Sequence, residues 1–266
     1  MEPLFLAARG GHLDAVEVLL ASPALSEAPP ESRFSPSGAG LGPLHVAAAE
    51  GHLHVLAALL RSRAEVSVAC SRGKTPLLYA GEHGSEEACA LLIGAQADIA
   101  YKTPEGETLL HVVARYGDAG IVSLAIAWRA DHATKDSDGW TPLHEASHWG
   151  GAGVEALCRA SASVVARSND GETPLHVALE GYEHLATCEE LLRWRADPMS
   201  ADVDGESPLH VAARRGRADA CLLLLRAGAE ADAKDLAGQT PLDLAEDEHV
   251  REVLACGGSF EPSAKS

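Results

Sequence analysis

The amino-acid sequence predicts an all-α solenoid of about eight short units, and three observations carry that prediction. A short motif returns along the chain at a nearly constant interval. The residues within one interval suit two short helices joined by a glycine turn. The apolar content is dominated by small aliphatic side chains, which pack in thin, closely spaced layers. The motif reads Pro43-Leu44-His45, Thr75-Pro76-Leu77-Leu78, Thr108-Leu109-Leu110-His111, Thr141-Pro142-Leu143-His144, Thr173-Pro174-Leu175-His176, Ser207-Pro208-Leu209-His210 and Thr240-Pro241-Leu242-Asp243, with a weaker Pro3-Leu4-Phe5 near the start. Its leucines from Leu44 to Leu242 are spaced 33, 33, 33, 32, 34 and 33 residues apart, and Leu4 precedes Leu44 by 40. Such a period marks a solenoid, in which each unit covers its neighbour's apolar face.

The unit beginning at Ser207 shows the local physics. Ser207 caps a first helix, and Pro208 takes its first position, where a missing N–H costs nothing. Leu209, Val211, Ala212 and Ala213 give that helix a face of small residues. Gly216 lets the chain turn, and residues 219–225 supply the apolar stripe of a second, longer helix. Gly228 ends that helix in the left-handed region. Residues 230–238 then project as a tight turn into the next Thr240-Pro241.

Composition narrows the function. Of 266 residues, 46% are apolar and only 4% aromatic. Lys plus Arg number 21 against 39 Asp plus Glu, a formal net charge of -18 spread along the chain. That balance argues against nucleic acid or an anionic membrane as the partner, because phosphate binding needs a local excess of cations. Six cysteines occur without a CxxC. Cys89, Cys158, Cys188, Cys221 and Cys256 fall in apolar helical stretches and are expected to be buried, reduced thiols of a cytoplasmic or nuclear protein. The start has no signal-peptide pattern, and no run of 18 apolar residues could span a membrane.

The motif and its period resemble the ankyrin repeat family over roughly residues 2–256. The resemblance implies one domain, 1–256, of repeats beginning near 1, 41, 73, 106, 139, 171, 205 and 238. Each unit would be two antiparallel helices and a β-hairpin finger, stacked into a curved solenoid with a concave groove for protein partners. The family places glycine where the second helix ends, whereas this chain has Arg63, Gln96, Arg129, Ser161 and Arg195 there, and only Gly228 conforms. Either those turns absorb the strain or the helices end differently. Repeat five opens its second helix with Gly150-Gly151-Ala152-Gly153, and repeat six is a residue short before Gly181, so their junction is expected to be the softest point. Residues 22–42, rich in Pro, Ser and Gly, read as a loop insertion, with 27–40 mobile and first cut by protease. Residues 257–266 read as a disordered tail. The eighth unit, with Asp247, Glu248, His249, Arg251 and Glu252, reads as a polar C-terminal cap. That cap, with the initial Met, sets the expectation of a stack closed at both ends.

Catalytic and metal motifs do not develop. His45, His111, His144, His176 and His210 recur once per repeat, about 8–10 Å apart by helix packing, too far to share a zinc whose ligands lie within about 2.1 Å. Each ring is expected to bond neighbouring backbone and fix a finger, as the resemblance implies. Asp136-Ser137-Asp138-Gly139 imitates a calcium loop, but its twelfth position is Ser147, and that of the Asp202 loop is Ala213, where a bidentate Glu is required. No HExxH, GxxxxGK[ST] or GxSxG is present. The expectation is a protein without cofactor, metal or small-molecule substrate, monomeric alone, that binds another protein. The rival is a regulatory or spacer segment of a larger signalling or membrane-associated assembly with no dedicated groove ligand.

The resemblance also assigns groove positions. On the first helices these are Glu82, His83, Arg115, Tyr116, His148, Trp149, Glu180, Arg214 and Arg215. On the fingers they are Arg72, Lys74, Glu105, Glu107, Ser137, Asp138, Trp140, Asn169, Glu172, Val203 and Glu206. Aromatic residues and Arg anchor interfaces most often, so Tyr116, Trp140 and Trp149, flanked by Arg115 and His148, are the expected centre. Arg214 and Arg215 are expected to form a cationic spot for an acidic part of the partner. Trp128 and Trp194, near the ends of second helices, are assigned to stacking on the opposite side.

Overall fold

A computed structural model describes residues 2–22, 40–116, 119–150, 153–181 and 185–257. Most of the insertion, including nearly all of the stretch expected to be mobile, and all but the first residue of the tail lie outside the described residues. Every regular element among the described residues is a helix. Contacts divide the chain into two compact units, Met1–Asp131 and His132–Ser266.

The first unit holds α1 (Glu2–Arg9), α2 (Leu13–Ala21), α3 (Pro43–Ala49), α4 (Leu53–Arg61), α5 (Pro76–Glu82), α6 (Glu86–Gly94), α7 (Leu109–Tyr116) and α8 (Ala119–Ala127). The second holds α9 (Pro142–Trp149), α10 (Gly153–Arg159), α11 (Pro174–Glu180), α12 (Leu185–Arg193), α13 (Pro208–Arg214), α14 (Ala218–Arg226), α15 (Pro241–Leu244) and α16 (Glu248–Ala255). Helices pair in sequence, and each pair stacks on the next within its unit, first helix on first helix and second on second: α3 on α5 and α2 on α4 in one unit, α9 on α11 and α14 on α16 in the other.

The motif explains this stacking. Leu44, Leu77, Leu110, Leu143, Leu175 and Leu209 are all buried, and three positions later so are the small residues Ala47, Ala80, Ala146, Ala178 and Ala212, with Val113 in the fourth repeat. Alanine at that position lets adjacent first helices approach closely. Second helices contribute a buried stripe such as Val55, Leu56 and Leu59, or Ala88, Cys89 and Leu92, the helical spacing of an amphipathic face. Thiols therefore fill core positions. Burial pushes Cys89, Cys158, Cys188 and Cys221 up to about 12, and Cys70 is buried too. Cys256 departs from its expected burial: it lies just past the end of α16 and is exposed.

The helix ends resolve the glycine question. Arg63, Gln96, Arg129, Ser161 and Arg195 adopt φ between 62° and 69°, the left-handed region. The residue after each donates back to the carbonyl five positions earlier, as in Ala64 N to Leu59 O at 3.2 Å and Ala130 N to Ala125 O at 3.0 Å. This is the Schellman closure, built on side chains that disfavour it. The turns absorb the strain.

The fingers are turns without strand pairing. Each is closed by a pair of backbone bonds on its first residue, for example Cys70 N to Lys74 O at 2.9 Å and Gly73 N to Cys70 O at 2.9 Å. Too few residues face each other to form a ladder. The expected irregularities are present. Helix α10 starts at Gly153 and has 7 residues where α8 and α12 have 9. Gly181 is extended, with φ -67°, where the corresponding Gly51, Gly84, Gly150 and Gly216 are left-handed.

Candidate functional site

The repeated histidine links each first helix to the next finger. In the second unit, His144 Nδ1 accepts from the Thr141 backbone N–H at 3.1 Å and lies 2.9 Å from the Thr141 hydroxyl. An accepting Nδ1 leaves the proton on Nε2, which donates to Glu172 O at 3.2 Å. His176 repeats this with Thr173 and Glu206 O, and His210 with Ser207 and Gln239 O. In the first unit His45 bonds Gly42 N and Lys74 O. Both ring nitrogens of these four residues are committed, so the rings are structural ties. In the eighth unit the carboxylate of Asp243 performs the capping half of the task, accepting from Thr240 N at 2.9 Å and Thr240 Oγ1 at 2.7 Å.

Burial holds the pKa of His45 and His176 below the ordinary histidine value, outweighing the backbone bonds that favour the charged ring. With the folded pKa depressed, the stabilisation is complete above the unfolded value near 6.5 and is lost as pH falls, because the unfolded chain takes up protons that the folded chain refuses. The expected loss at pH 5.5 is up to about 1.4 kcal/mol per ring. Urea unfolding at pH 7.5 and 5.5 checks it, and an unchanged midpoint would contradict it.

Within each unit finger bases meet first-helix ends, and a pairing eight residues apart recurs in both. Lys74 Nζ meets Glu82 Oε2 at 2.8 Å, Arg115 meets Glu107 at 2.5 Å, and Arg214 meets Glu206 at 2.7 Å. In the fifth repeat the same two positions are Trp140 and His148, whose rings lie 5.3 Å apart. The sixth repeat places Glu172 and Glu180 there. Desolvation, followed by the like charges of Glu180 and Asp170, raises the pKa of Glu172.

These pairs correct one expectation. Arg214 is bound by Glu206, and Arg215 by Glu180 at 3.2 Å. Their charge is offset by carboxylates of the same face, so the cationic spot expected there does not form.

The other assigned residues divide between the units. In the first, Arg72 and His83 are exposed, with His83 Nδ1 3.0 Å from Tyr79 O. The Arg115 guanidinium lies 5.6 Å over the ring of Tyr116, which is 51% exposed. In the second, Trp140 stacks on His144 at 6.2 Å, and His148 meets Trp149 edge-on at 5.1 Å. Trp149 is 54% exposed. Ser137, Asp138 and Asn169 are fingertip neighbours: Asn169 donates through its amide to Ser137 O at 2.8 Å and through its backbone to Asp138 O at 2.9 Å. The same step continues from Val203 N to Asp170 O and from Leu236 N to Asp204 O. Away from this face, Trp194 is tied to Glu190 within its own turn by an indole bond of 2.8 Å.

Three contributors were absent from the expected set. Leu236, 80% exposed, joins Val203, 55% exposed, as an apolar fingertip. The fixed offset of finger residues from Thr-Pro-Leu would have located it. Asp170 and Asp204 share the third fingertip position with Asp138.

The arrangement defines a helical repeat protein with its distinctive side chains on a finger-and-helix face and its histidines used as internal ties. The family described as Ankyrin repeats (3 copies) matches residues 4–103, 95–168, 110–202, 154–235 and 175–260. The chain belongs to the ankyrin repeat family. No curated protein matches it.

Proposed function

We propose that this chain is a non-enzymatic adaptor that binds another protein through the finger and first-helix face, the groove of an ankyrin stack. Ankyrin repeats are generally protein–protein interaction modules. The observation that carries the reading here is the placement of large aromatics. The core is filled by Leu, Ala and Val, whereas Tyr116 and Trp149 stand about half exposed at the same position of successive repeats. An exposed indole held by neighbouring rings is a rigid anchor that loses little entropy on binding. The proposed contact set is Arg72, Lys74, Glu82, His83, Arg115, Tyr116, Ser137, Asp138, Trp140, His148, Trp149, Asn169, Glu172, Glu180, Arg214 and Arg215. The repeats acting as one domain over 1–256, and residence in the cytoplasm or nucleus with reduced thiols, belong to the same reading. Among the described residues no helix is long and apolar enough to cross a membrane.

The test is capture of partners from a cell extract, identification by mass spectrometry, and titration of the purified partner. Trp149→Ala is expected to weaken binding by about 2 kcal/mol, near thirtyfold in Kd, with an unchanged circular dichroism spectrum. Affinity within twofold of the parent, together with loss of binding on Trp194→Ala, would move the working surface to the other side.

A further inference from the structure

We infer that the face of the second unit around Trp149 receives a basic, extended polypeptide segment, with an arginine or lysine seated between the Trp149 indole and the Glu172–Glu180 carboxylates. The inference rests on the protein-binding reading and adds the partner's chemistry.

Its first support is a gap in the pairing pattern. Lys74 with Glu82 and Glu206 with Arg214 close their repeats with opposite charges, at 2.8 and 2.7 Å. Glu172 and Glu180 occupy the same two positions with equal charges. Glu180 finds Arg215 at 3.2 Å. Among the described residues the Glu172 carboxylate is bonded by only the Ser168 hydroxyl, at 3.4 Å. Its charge is left without a cation, and a partner's ammonium or guanidinium would supply one.

Second, the aromatic platform adjoins this gap. Trp140 stacks on His144, and the same imidazole donates to the backbone oxygen of Glu172 at 3.2 Å. Helix α9, which ends at Trp149, packs on α11, which ends at Glu180. An exposed indole beside carboxylates suits a cation, which gains from the ring face and from the charges together.

Third, the acidic character extends along the fingertips. Asp138, Asp170 and Asp204 are exposed at equivalent positions of consecutive fingers, and backbone bonds of 2.9 and 3.0 Å hold those fingers side by side. Val203 and Leu236 add apolar contact beside them. Repeats are separated by about 8–10 Å, and an extended polyproline II chain advances about 3.1 Å per residue with three residues per turn, so every third side chain faces the same way. The matching ligand therefore carries a basic residue at every third position.

The experiment uses two fluorescent peptides of one composition, titrated against the full chain by anisotropy. In the first, four arginines are separated by pairs of threonines; in the second, the four arginines are consecutive. A third peptide has glutamine for every arginine of the first. The spaced peptide is expected to bind tightest and the glutamine peptide weakest. Glu172→Gln combined with Glu180→Gln is expected to weaken the spaced peptide about tenfold, and Trp149→Ala to weaken it by a similar factor. Circular dichroism checks each variant for folding. Unchanged affinity in the double glutamine variant overturns the inference, as does equal binding of the glutamine peptide or no binding of any peptide. If Trp149→Ala still abolishes capture of the native partner in those cases, the protein-binding reading stands and only the basic ligand is wrong. If it does not, both fall.

Discussion

Replacing His176 with alanine is expected to destabilise the protein by about 3–5 kcal/mol, the largest effect of any single substitution considered. Its side chain is fully buried, and its ring bonds Thr173 N at 3.1 Å and Glu206 O at 3.1 Å. Alanine leaves the buried Thr173 N–H without its partner, worth about 1–3 kcal/mol, removes one of the two bonds to Glu206 O, which keeps its bond from Asp202 N, and opens a cavity where an imidazole stood. It also cuts the tie between the sixth first helix and the seventh finger. Since stability in a repeat array is a sum of unit and interface terms, losing one interface should lower the unfolding midpoint and broaden the transition. Urea unfolding followed by circular dichroism measures both. His249→Ala, on the exposed face of α16, is the control, expected to stay within about 0.5 kcal/mol. A loss below about 1 kcal/mol at His176 would mean that the backbone groups find other partners.

Stabilisation of comparable size is expected from glycine at the five left-handed positions. Arg63, Gln96, Arg129, Ser161 and Arg195 are exposed and have φ between 62° and 69°. An L-residue in that region costs about 1–2 kcal/mol, and glycine relieves this while adding about 0.5–1 kcal/mol of unfolded-state entropy. The net gain is about 0.5–1 kcal/mol per site. The sites lie in separate repeats, so their gains add, and the five together should contribute about 2.5–5 kcal/mol. A higher guanidinium chloride midpoint at unchanged slope is the expected result. A lower midpoint would show that the entropy of glycine outweighs the strain.

These positions also show how far the sequence reaches. The Thr-Pro-Leu-His period locates every first helix because proline, threonine and leucine each satisfy a local requirement of a helix start. It locates the left-handed turns as well, since they fall 18–20 residues after the motif leucine. The histidine bonds follow from that register. Charge pairing is a different matter. Glu206 and Arg214 are eight residues apart and touch because a finger folds back over a helix end, at 2.7 Å. No periodicity of helix or strand brings such residues together, so Arg214 reads as a free cation until the finger geometry is known. The fate of Cys256 was hidden for a related reason. It follows the buried stripe of Val250, Val253 and Leu254, yet it caps the end of α16 and stands exposed rather than on the packed face of the helix.

That last thiol gives the protein a practical handle. Thiol-directed reagents attack the thiolate, and Cys89, Cys158, Cys188 and Cys221 are buried with pKa values pushed up to about 12. Cys70 is enclosed beside the Tyr79 hydroxyl, 3.7 Å from its sulfur. Cys256 alone among the six is exposed. A maleimide dye or a surface tether would therefore couple at one place on the native chain, far along the sequence from Trp149, and the unmodified protein is already suited to single-site immobilisation.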